Sequence, residues 1–299
     1  MADLIEKYIK YLRYERNYSL HTEISYLEDL SQFESFVKSR IADVEIEAVD
    51  ADIVRLWIIN LMESGLSART VNRKLSALKS FYKYLQRIGV VEVNPLRRIT
   101  GPKMKKALPA FVNHADMEKI LDESNFDDSY ESVRNKTILE LFYITGVREA
   151  ELIGLKDVDV DFYNGTVQVT GKRNKQRLIP LGEASLCRLR QYLDRRNEEF
   201  GGNCEYFFVK DGGAKLTPSF VYKMVHEALS VISTLPKASP HVLRHSFATN
   251  MLNNGADINA VKEILGHASL ASTEVYTHTT FEELKKIYDK AHPRADIEL

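Results

Sequence analysis

Cysteine is nearly absent from this chain, and so is any long apolar run. Two cysteines occur among 299 residues, Cys187 and Cys204, too few and too isolated for a disulfide framework or for zinc ligands at the usual spacing. No apolar stretch approaches the ~20 residues that a membrane span needs, and the opening Met1-Ala2-Asp3-Leu4-Ile5-Glu6-Lys7 lacks the apolar core of a secretory signal. These absences point to a cytoplasmic protein with no membrane partner. Also missing are internal repeats, low-complexity tracts and an excess of one charge: 41 Lys and Arg stand against 42 Asp and Glu, a formal net charge of −1. A neutral total argues against a protein that grips nucleic acid by bulk charge. It leaves local patches open, and two acid-free basic clusters occur: Arg97, Arg98, Lys103, Lys105 and Lys106, then Lys172, Arg173, Lys175 and Arg177.

Hydrophobic residues at 44% and charged residues at 28% are ordinary for a folded protein, and the length predicts two domains. Helical spacing of Leu4, Ile5, Tyr8, Ile9 and Leu12, and then of Ile24, Leu27, Leu30, Phe33 and Val37, predicts two amphipathic helices. A third runs from Asp52 to Ser64 with Ile53, Leu56, Trp57 and Ile59 on its apolar side, and a fourth begins after a Ser67 cap and stops at Gly89. On the fourth, Arg69, Arg73, Ser76, Ser80 and Lys83 line a polar face. By pattern alone that face is a solvated surface. Asn94-Pro95 and Thr100-Gly101-Pro102 break the pattern, so the chain divides into a helical N-terminal domain (1–96), a basic linker (97–107) and a second domain (108–299).

The second domain reads as mostly helical with one small antiparallel sheet. Helices are expected over 114–121, 129–145, 183–200 and near 219–232. Strands are expected over Val158–Asp161, Thr166–Val169 and Arg177–Pro180, with Asn164-Gly165 as a tight hairpin turn and Gly171 to Gln176 as a polar one. A last helix, 281–290, carries Phe281, Leu284, Ile287 and Tyr288 on one side.

Chemistry concentrates in two places. In Thr145-Gly146-Val147-Arg148-Glu149-Ala150-Glu151-Leu152, Gly146 permits a turn and Arg148 opens a short helix with Glu151 three residues on, on the same face. In the stretch 239–280, His241 and Arg244 share a helix face, a second helix over 258–265 closes on Gly266 just before His267, and Tyr276 follows nine residues later. Singly, each has an unremarkable reading: arginines pair on surfaces, histidines make structural hydrogen bonds, and any of fifteen tyrosines packs with a hydroxyl partner. Together they suit phosphoryl chemistry. Two guanidiniums grip the non-bridging oxygens of one phosphate and stabilise a five-coordinate transition state. His241 and His267 can donate to the same phosphate, and His241 can accept a tyrosine proton. The Tyr276 phenol, with an ordinary pKa of about 10, needs neighbouring cations to act as a nucleophile. Lys172 at the head of its turn can protonate a leaving oxygen, and Glu151 orients a cation. A metal hydrolase built from His241, His245, His267 and His278 is disfavoured, because no intervening glutamate or carboxylate cluster accompanies them.

T-G-V-R-E-A-E-L, the Gly171-Lys172 turn, H-V-L-R-H, L-G-H-A-S-L and V-Y-T-H resemble, in order and spacing, the signature of the tyrosine recombinase (phage integrase) family. The resemblance spans the chain. Its length, the run N-G-A-D-I-N-A-V-K-E-I-L-G-H and the tail K-K-I-Y-D-K-A-H-P-R-A at 285–295 are most similar to the bacterial Xer recombinases. The resemblance implies a SAM-like core-binding bundle and an α+β catalytic domain that close on DNA as a C-shaped clamp. It implies a catalytic set of Arg148, Lys172, His241, Arg244 and His267 around the scissile phosphate, Tyr276 as nucleophile, Glu151 in support, and no metal or cofactor. Arg69, Arg73 and Lys83 on the fourth helix, with Arg98, Lys103, Lys105, Arg173 and Lys175, become the candidate DNA contacts, reversing the solvated reading of that face. The implied partners are a short, imperfectly palindromic duplex, this chain or a paralogous recombinase in a tetramer on two DNA sites, and an FtsK-type DNA translocase. The implied process is resolution of chromosome dimers at cell division, with the tail helix docking on a neighbouring protomer. A mobile-element integrase or plasmid resolvase shares the chemistry. A DNA-binding protein that no longer cuts, and a topoisomerase of the tyrosine type, are the readings from other classes.

Overall fold

A computed structural model of the chain describes residues 2–40, 44–104, 110–122, 125–171, 174–232, 235, 237–266 and 281–294. The chain forms two compact units, Met1–Ala107 and Leu108–Leu299.

The first unit is built from α1 (Ala2–Tyr14), α2 (Leu20–Arg40), α3 (Ala51–Glu63) and α4 (Ala68–Arg87). Asp50 caps α3 by accepting from the Asp52 and Ile53 amides, and Ser67 caps α4 by accepting from Thr70, which satisfies amides that a helix start leaves open. The core gathers Tyr8, Leu12, Leu30, Phe33, Trp57, Leu78, Phe81 and Tyr82, with the Phe33 and Trp57 rings edge-to-face at 4.9 Å. Two predicted apolar stripes shift. On α2 the inward side is Glu23, Asp29, Leu30, Phe33 and Val37, while Ile24 and Leu27 are exposed. On α3 the inward side is Val54, Trp57 and Leu61, and Leu56 and Ile59 face out. The cause on α2 is electrostatic. Glu23 is turned in to meet Arg13 at 2.7 Å, and Asp29 accepts from both Arg73 and Lys74. Paired carboxylates can occupy positions that pattern alone assigns to hydrophobes.

The basic stretch after residue 96 does not hang free over its described part. Leu96 and Ile99 are buried in the first core, Lys79 donates to the Ile99 carbonyl at 2.7 Å, and Asn72 donates to the Pro102 carbonyl at 2.9 Å. Gly101 permits this approach, since a Cβ there would stand 1.8 Å from the Asn72 Oδ1 atom. Arg98 and Lys103 are thereby carried on the surface of the α4 side of the unit.

The second unit centres on α6 (Tyr130–Thr145), whose last ten residues are all buried. It is packed between α8 (Glu183–Phe200) and α10 (Pro240–Asn253), with α5 (His114–Leu121) and α9 (Pro218–Leu229) alongside. Its buried Glu140 is paired with Arg188 and Arg294, as a carboxylate at that depth requires. The sheet is three-stranded and antiparallel, β1 (Val160–Asp161), β2 (Thr166–Thr170) and β3 (Gln176–Pro180) in that order. Val158 and Asp159 lie in a 3-10 turn rather than in the expected strand. The first hairpin loop spans four residues, because Asp161 pairs with Thr166 and its carboxylate accepts from the Tyr163 and Asn164 amides.

Asp29 is the polar keystone of the first unit, since its carboxylate and the Lys74 ammonium are both almost wholly buried. Asp29→Ala leaves that ammonium without its carboxylate and is expected to destabilise the unit by about 3–5 kcal/mol. Urea denaturation followed through Trp57, the chain's one tryptophan, reads this unit by itself; a midpoint unchanged from wild type would contradict the assignment.

Candidate active site

Gly146 ends α6 with φ of +58°, a left-handed conformation that costs an L-residue roughly 1–2 kcal/mol. A Cβ there would also press within 2.8 Å of Leu265 and Phe247. This turn brings Arg148 to the N-cap of α7 (Glu149–Ile153). Glu151, at the third position of α7, closes the cap by accepting from the Arg148 amide at 2.8 Å, and its Oε1 accepts from the Arg148 Nη1 at 2.6 Å. The sequence expectation that Arg148 and Glu151 share a face is thus realised twice over.

A third participant comes from the sheet. Arg177 on β3 grips Glu151 with both terminal nitrogens, Nη1 to Oε1 at 2.9 Å and Nη2 to Oε2 at 2.8 Å. Its Nε donates to the Ile264 carbonyl at 2.6 Å. The pattern of residues gave no sign of this role, because Arg177 stands at the end of a basic run whose other members, Lys172, Arg173 and Lys175, read as catalytic or DNA-contacting cations.

Arg244 enters from α10, buried, donating through Nη1 to the Gly146 carbonyl and through Nη2 to the Leu265 carbonyl at 2.7 Å. Arg148 reaches the Gly266 carbonyl at 3.1 Å. The three successive carbonyls that close α11 (Ile258–Leu265) therefore each receive a different arginine: Ile264 from Arg177, Leu265 from Arg244 and Gly266 from Arg148. Carbonyls at a helix C-terminus lack helical partners and carry partial negative charge, so this end of α11 is a natural seat for cations. The seat lies immediately before His267.

The electrostatics follow from this crowding. Burial pushes the Arg244 pKa down, and repulsion from Arg148 adds to it, to about 10; the group stays charged at neutral pH. For Glu151, burial works to raise the pKa, but donation from Arg177 and Arg148 outweighs it and the carboxyl ends below the usual range. Glu149, which the sequence reading passed over, has a carboxylate oxygen buried without a hydrogen-bond partner. Burial raises its pKa, and His241 is its charge neighbour. His241 itself is exposed in the first turn of α10.

The structure thus brings together Arg148, Glu151 and Arg244, and places His241 one turn before Arg244 on α10. Lys172, His267 and Tyr276, with Arg173 and Lys105, lie outside the described residues. Arg69, Arg73 and Lys83 are exposed along α4, and Lys175 is exposed just before β3. Arg73 is not a free surface cation, being held bidentate by Asp29 with Nη2 to Oδ1 at 2.9 Å. Among the described residues no cluster of histidine, cysteine and carboxylates is arranged to hold a metal ion, and no helix is long and apolar enough to cross a membrane.

The tail helix α12 (Phe281–Ala291) packs against α10, α11 and β3 of its own unit, although the sequence reading has it docking on a neighbour. Tyr288 stacks on His292 with ring centroids 5.1 Å apart, and His292 stacks in turn on Phe247 at 5.6 Å. Arg294 closes the seat on Glu118 at 2.7 and 2.9 Å and on Glu140 at 3.2 Å. Burial depresses the His292 pKa to about 3, so this ring is neutral and packs as an aromatic.

A helical bundle is followed by a mixed unit in which three arginines, Arg148, Arg177 and Arg244, converge on the end of one helix, a cationic cluster suited to a phosphate. The comparisons with known proteins agree. Residues 110–283 match the phage integrase family and residues 5–89 match the phage integrase N-terminal SAM-like domain. Tyrosine recombinase XerC of Chlorobaculum parvum is 39% identical over 97% of this chain and 94% of its own, and that of Bacillus subtilis is 35% identical over 99% and 98%. Among solved structures, XerH recombinase bound to a palindromic difH substrate, a post-cleavage complex, superposes with a TM-score of 0.72 at 26% identity, covering 95% of this chain and 83% of that one. The Tn1549 transposon integrase in complex with transposon right end DNA has the same fold, with a TM-score of 0.72 at 23% identity over 95% and 97%. The chain belongs to the phage integrase family, and within it is a site-specific tyrosine recombinase of the Xer type.

The depressed pKa of Glu151 has a sign that can be tested. A carboxyl whose folded pKa lies below its unfolded value stabilises the protein above the ordinary carboxylate pKa of about 4.3, and that stability is lost as pH falls through the folded value. Glu151→Gln is therefore expected to cost about 3–5 kcal/mol near neutral pH, and the gap from wild type to narrow under acid. Thermal unfolding of both proteins from about pH 7 to about pH 3 checks this; a gap independent of pH would refute it.

Proposed function

We propose that this recombinase cuts and rejoins double-stranded DNA through a 3′-phosphotyrosyl intermediate and resolves chromosome dimers at a terminus site during cell division. The observation that carries this reading is the convergence of Arg148 and Arg244 on the end of α11 in a chain that aligns over nearly its full length with XerC recombinases.

In this reading Arg148 and Arg244 take the non-bridging oxygens of the scissile phosphate, with His267 donating to the same group. Fixed guanidiniums facing the developing charge lower the barrier without reorganising. His241 accepts the phenolic proton as the Tyr276 oxygen attacks phosphorus. The bond from phosphorus to the 5′-oxygen breaks, and Lys172 protonates that oxygen. The products are a phosphotyrosyl bond and a free 5′-hydroxyl. Because the phosphodiester energy is kept in the tyrosyl ester, rejoining needs no nucleotide, and the arginines supply the charge that a metal would otherwise supply. Glu151 orients Arg148.

The exposed cations of α4, Arg69, Arg73 and Lys83, with Arg98, Lys103, Lys105, Arg173 and Lys175, would follow the DNA backbone, where phosphate contacts fix position rather than sequence. Arg73 suits this, since Asp29 fixes its orientation while leaving the side chain 46% exposed. Four protomers, of this chain alone or with a paralogue, would hold two sites and exchange strands in pairs through a Holliday junction, with an FtsK-type translocase as activator. In such a tetramer the contacts of the α12 seat would be remade between neighbours, because a helix that leaves its own unit finds an identical seat on the next.

Two experiments test the reading. On a nicked duplex carrying the host's terminus site, in EDTA, the wild-type chain is expected to form a covalent DNA adduct and Tyr276→Phe none. Binding without an adduct would point to a required activator, and no binding would favour a mobile-element target. Truncation after Thr280 is expected to abolish synapsis of two sites in gel-shift assays while single-site binding changes by no more than a few-fold. Unchanged recombination would rule out exchange of the tail.

A further inference from the structure

Arg177 belongs to none of the catalytic roles above, yet all three of its guanidinium nitrogens are engaged within the cluster. Its side chain is 11% exposed, it spends both terminal nitrogens on Glu151, and its Nε is committed to the Ile264 carbonyl. Even the nearby backbone is shaped around it, since a Cβ on Gly266 would stand 3.1 Å from the Arg177 Cδ. By contrast Arg148, which shares the same carboxylate, has its side chain 35% exposed. Of the two guanidiniums on Glu151, one faces inward and is used up by the protein. The other is open to a ligand.

The consequence is a matter of charge. Glu151 has two oxygens and four donations: the Arg148 amide, Arg148 Nη1, and both terminal nitrogens of Arg177. If Arg177 were absent, the only guanidinium left on this buried carboxylate would be that of Arg148. An unshared pair in a low-dielectric site is strongly attractive, so Arg148 would become the carboxylate's counter-ion, and a phosphate approaching it would meet a neutralised pair. Arg177 prevents this by being the counter-ion itself.

We propose that Arg177 is a positioning residue of strand cleavage, which by satisfying Glu151 and the end of α11 keeps the positive charge of Arg148 available to the scissile phosphate. The proposal rests on Arg148 binding that phosphate. It predicts a dependence on substrate charge that a purely structural residue would not show.

The test is covalent trapping on two versions of the nicked terminus-site duplex, one with the ordinary scissile phosphate and one in which a methyl group replaces a non-bridging oxygen and removes the negative charge. Arg177→Gln is expected to lower adduct formation about 100-fold on the ordinary phosphate, the scale of a misplaced transition-state contact, and by only a few-fold on the methylphosphonate. Arg177→Lys, which keeps a charge but loses the fork, is expected to fall between. Glu151→Gln/Arg177→Gln removes the buried carboxylate together with its inward counter-ion and so releases Arg148; it is expected to cut the ordinary phosphate faster than Arg177→Gln alone. This double variant also carries the test if the single one fails to fold, its adduct on the ordinary phosphate then expected within about tenfold of wild type.

Equal losses for Arg177→Gln on both duplexes, or no gain in the double variant, would overturn the proposal. Arg148→Ala serves as reference. If it recovers on the methylphosphonate and Arg177→Gln does not, the proposal alone fails. If Arg148→Ala does not recover, the assignment of Arg148 to the phosphate fails and takes the proposal with it.

Discussion

The catalytic unit depends on one buried carboxylate. Glu151 is 6% exposed, and an isolated charge at that depth would cost several kcal/mol of lost hydration. What offsets the cost is the bidentate grip of Arg177 and the amide and guanidinium of Arg148. The dependence runs the other way too. Burial first, and then repulsion from Arg148 and Arg177, lowers the pKa of Arg244, and a carboxylate among these arginines, with the carbonyls that close α11, makes their packing tolerable.

The rest of the unit serves to bring those groups to one place. The buried α6 delivers the Gly146 turn, α10 delivers Arg244, β3 delivers Arg177 and α11 supplies the acceptors. Phe247 is shared between two jobs: it lies against the Gly146 turn on one side and under His292 of the tail on the other. Occupation of the tail seat therefore touches the same side chain that supports the arginine turn.

The N-terminal unit uses the same device for a different end. Asp29 is buried and shared between Lys74, which is also buried, and Arg73, which reaches the surface. In both units an inward cation satisfies a carboxylate that also holds an outward one. Long side chains lose rotamer freedom when they bind, and a buried anchor removes much of that loss beforehand.

The sequence by itself determined the helices and most of their ends, because caps and breakers act locally: Asp50 and Ser67 accept from the amides that follow them, and Gly146 and Gly266 adopt left-handed backbone where L-residues would strain. It also brought Arg148 beside Glu151 and put His241 one turn before Arg244, since each pair is separated by a spacing that a helix or its cap brings together. Tertiary structure alone decided the partners of those residues. Arg177 lies 26 positions from Glu151 and 87 from Ile264, and no periodicity spans such distances. It likewise decided that Glu23 and Asp29 point inward while Ile24 and Leu27 do not, and that the basic stretch after residue 96 lies against α4. The physical reason is common to all three. A hydrogen bond or ion pair outweighs local preference only when its partner is present, and the partner is supplied by the fold.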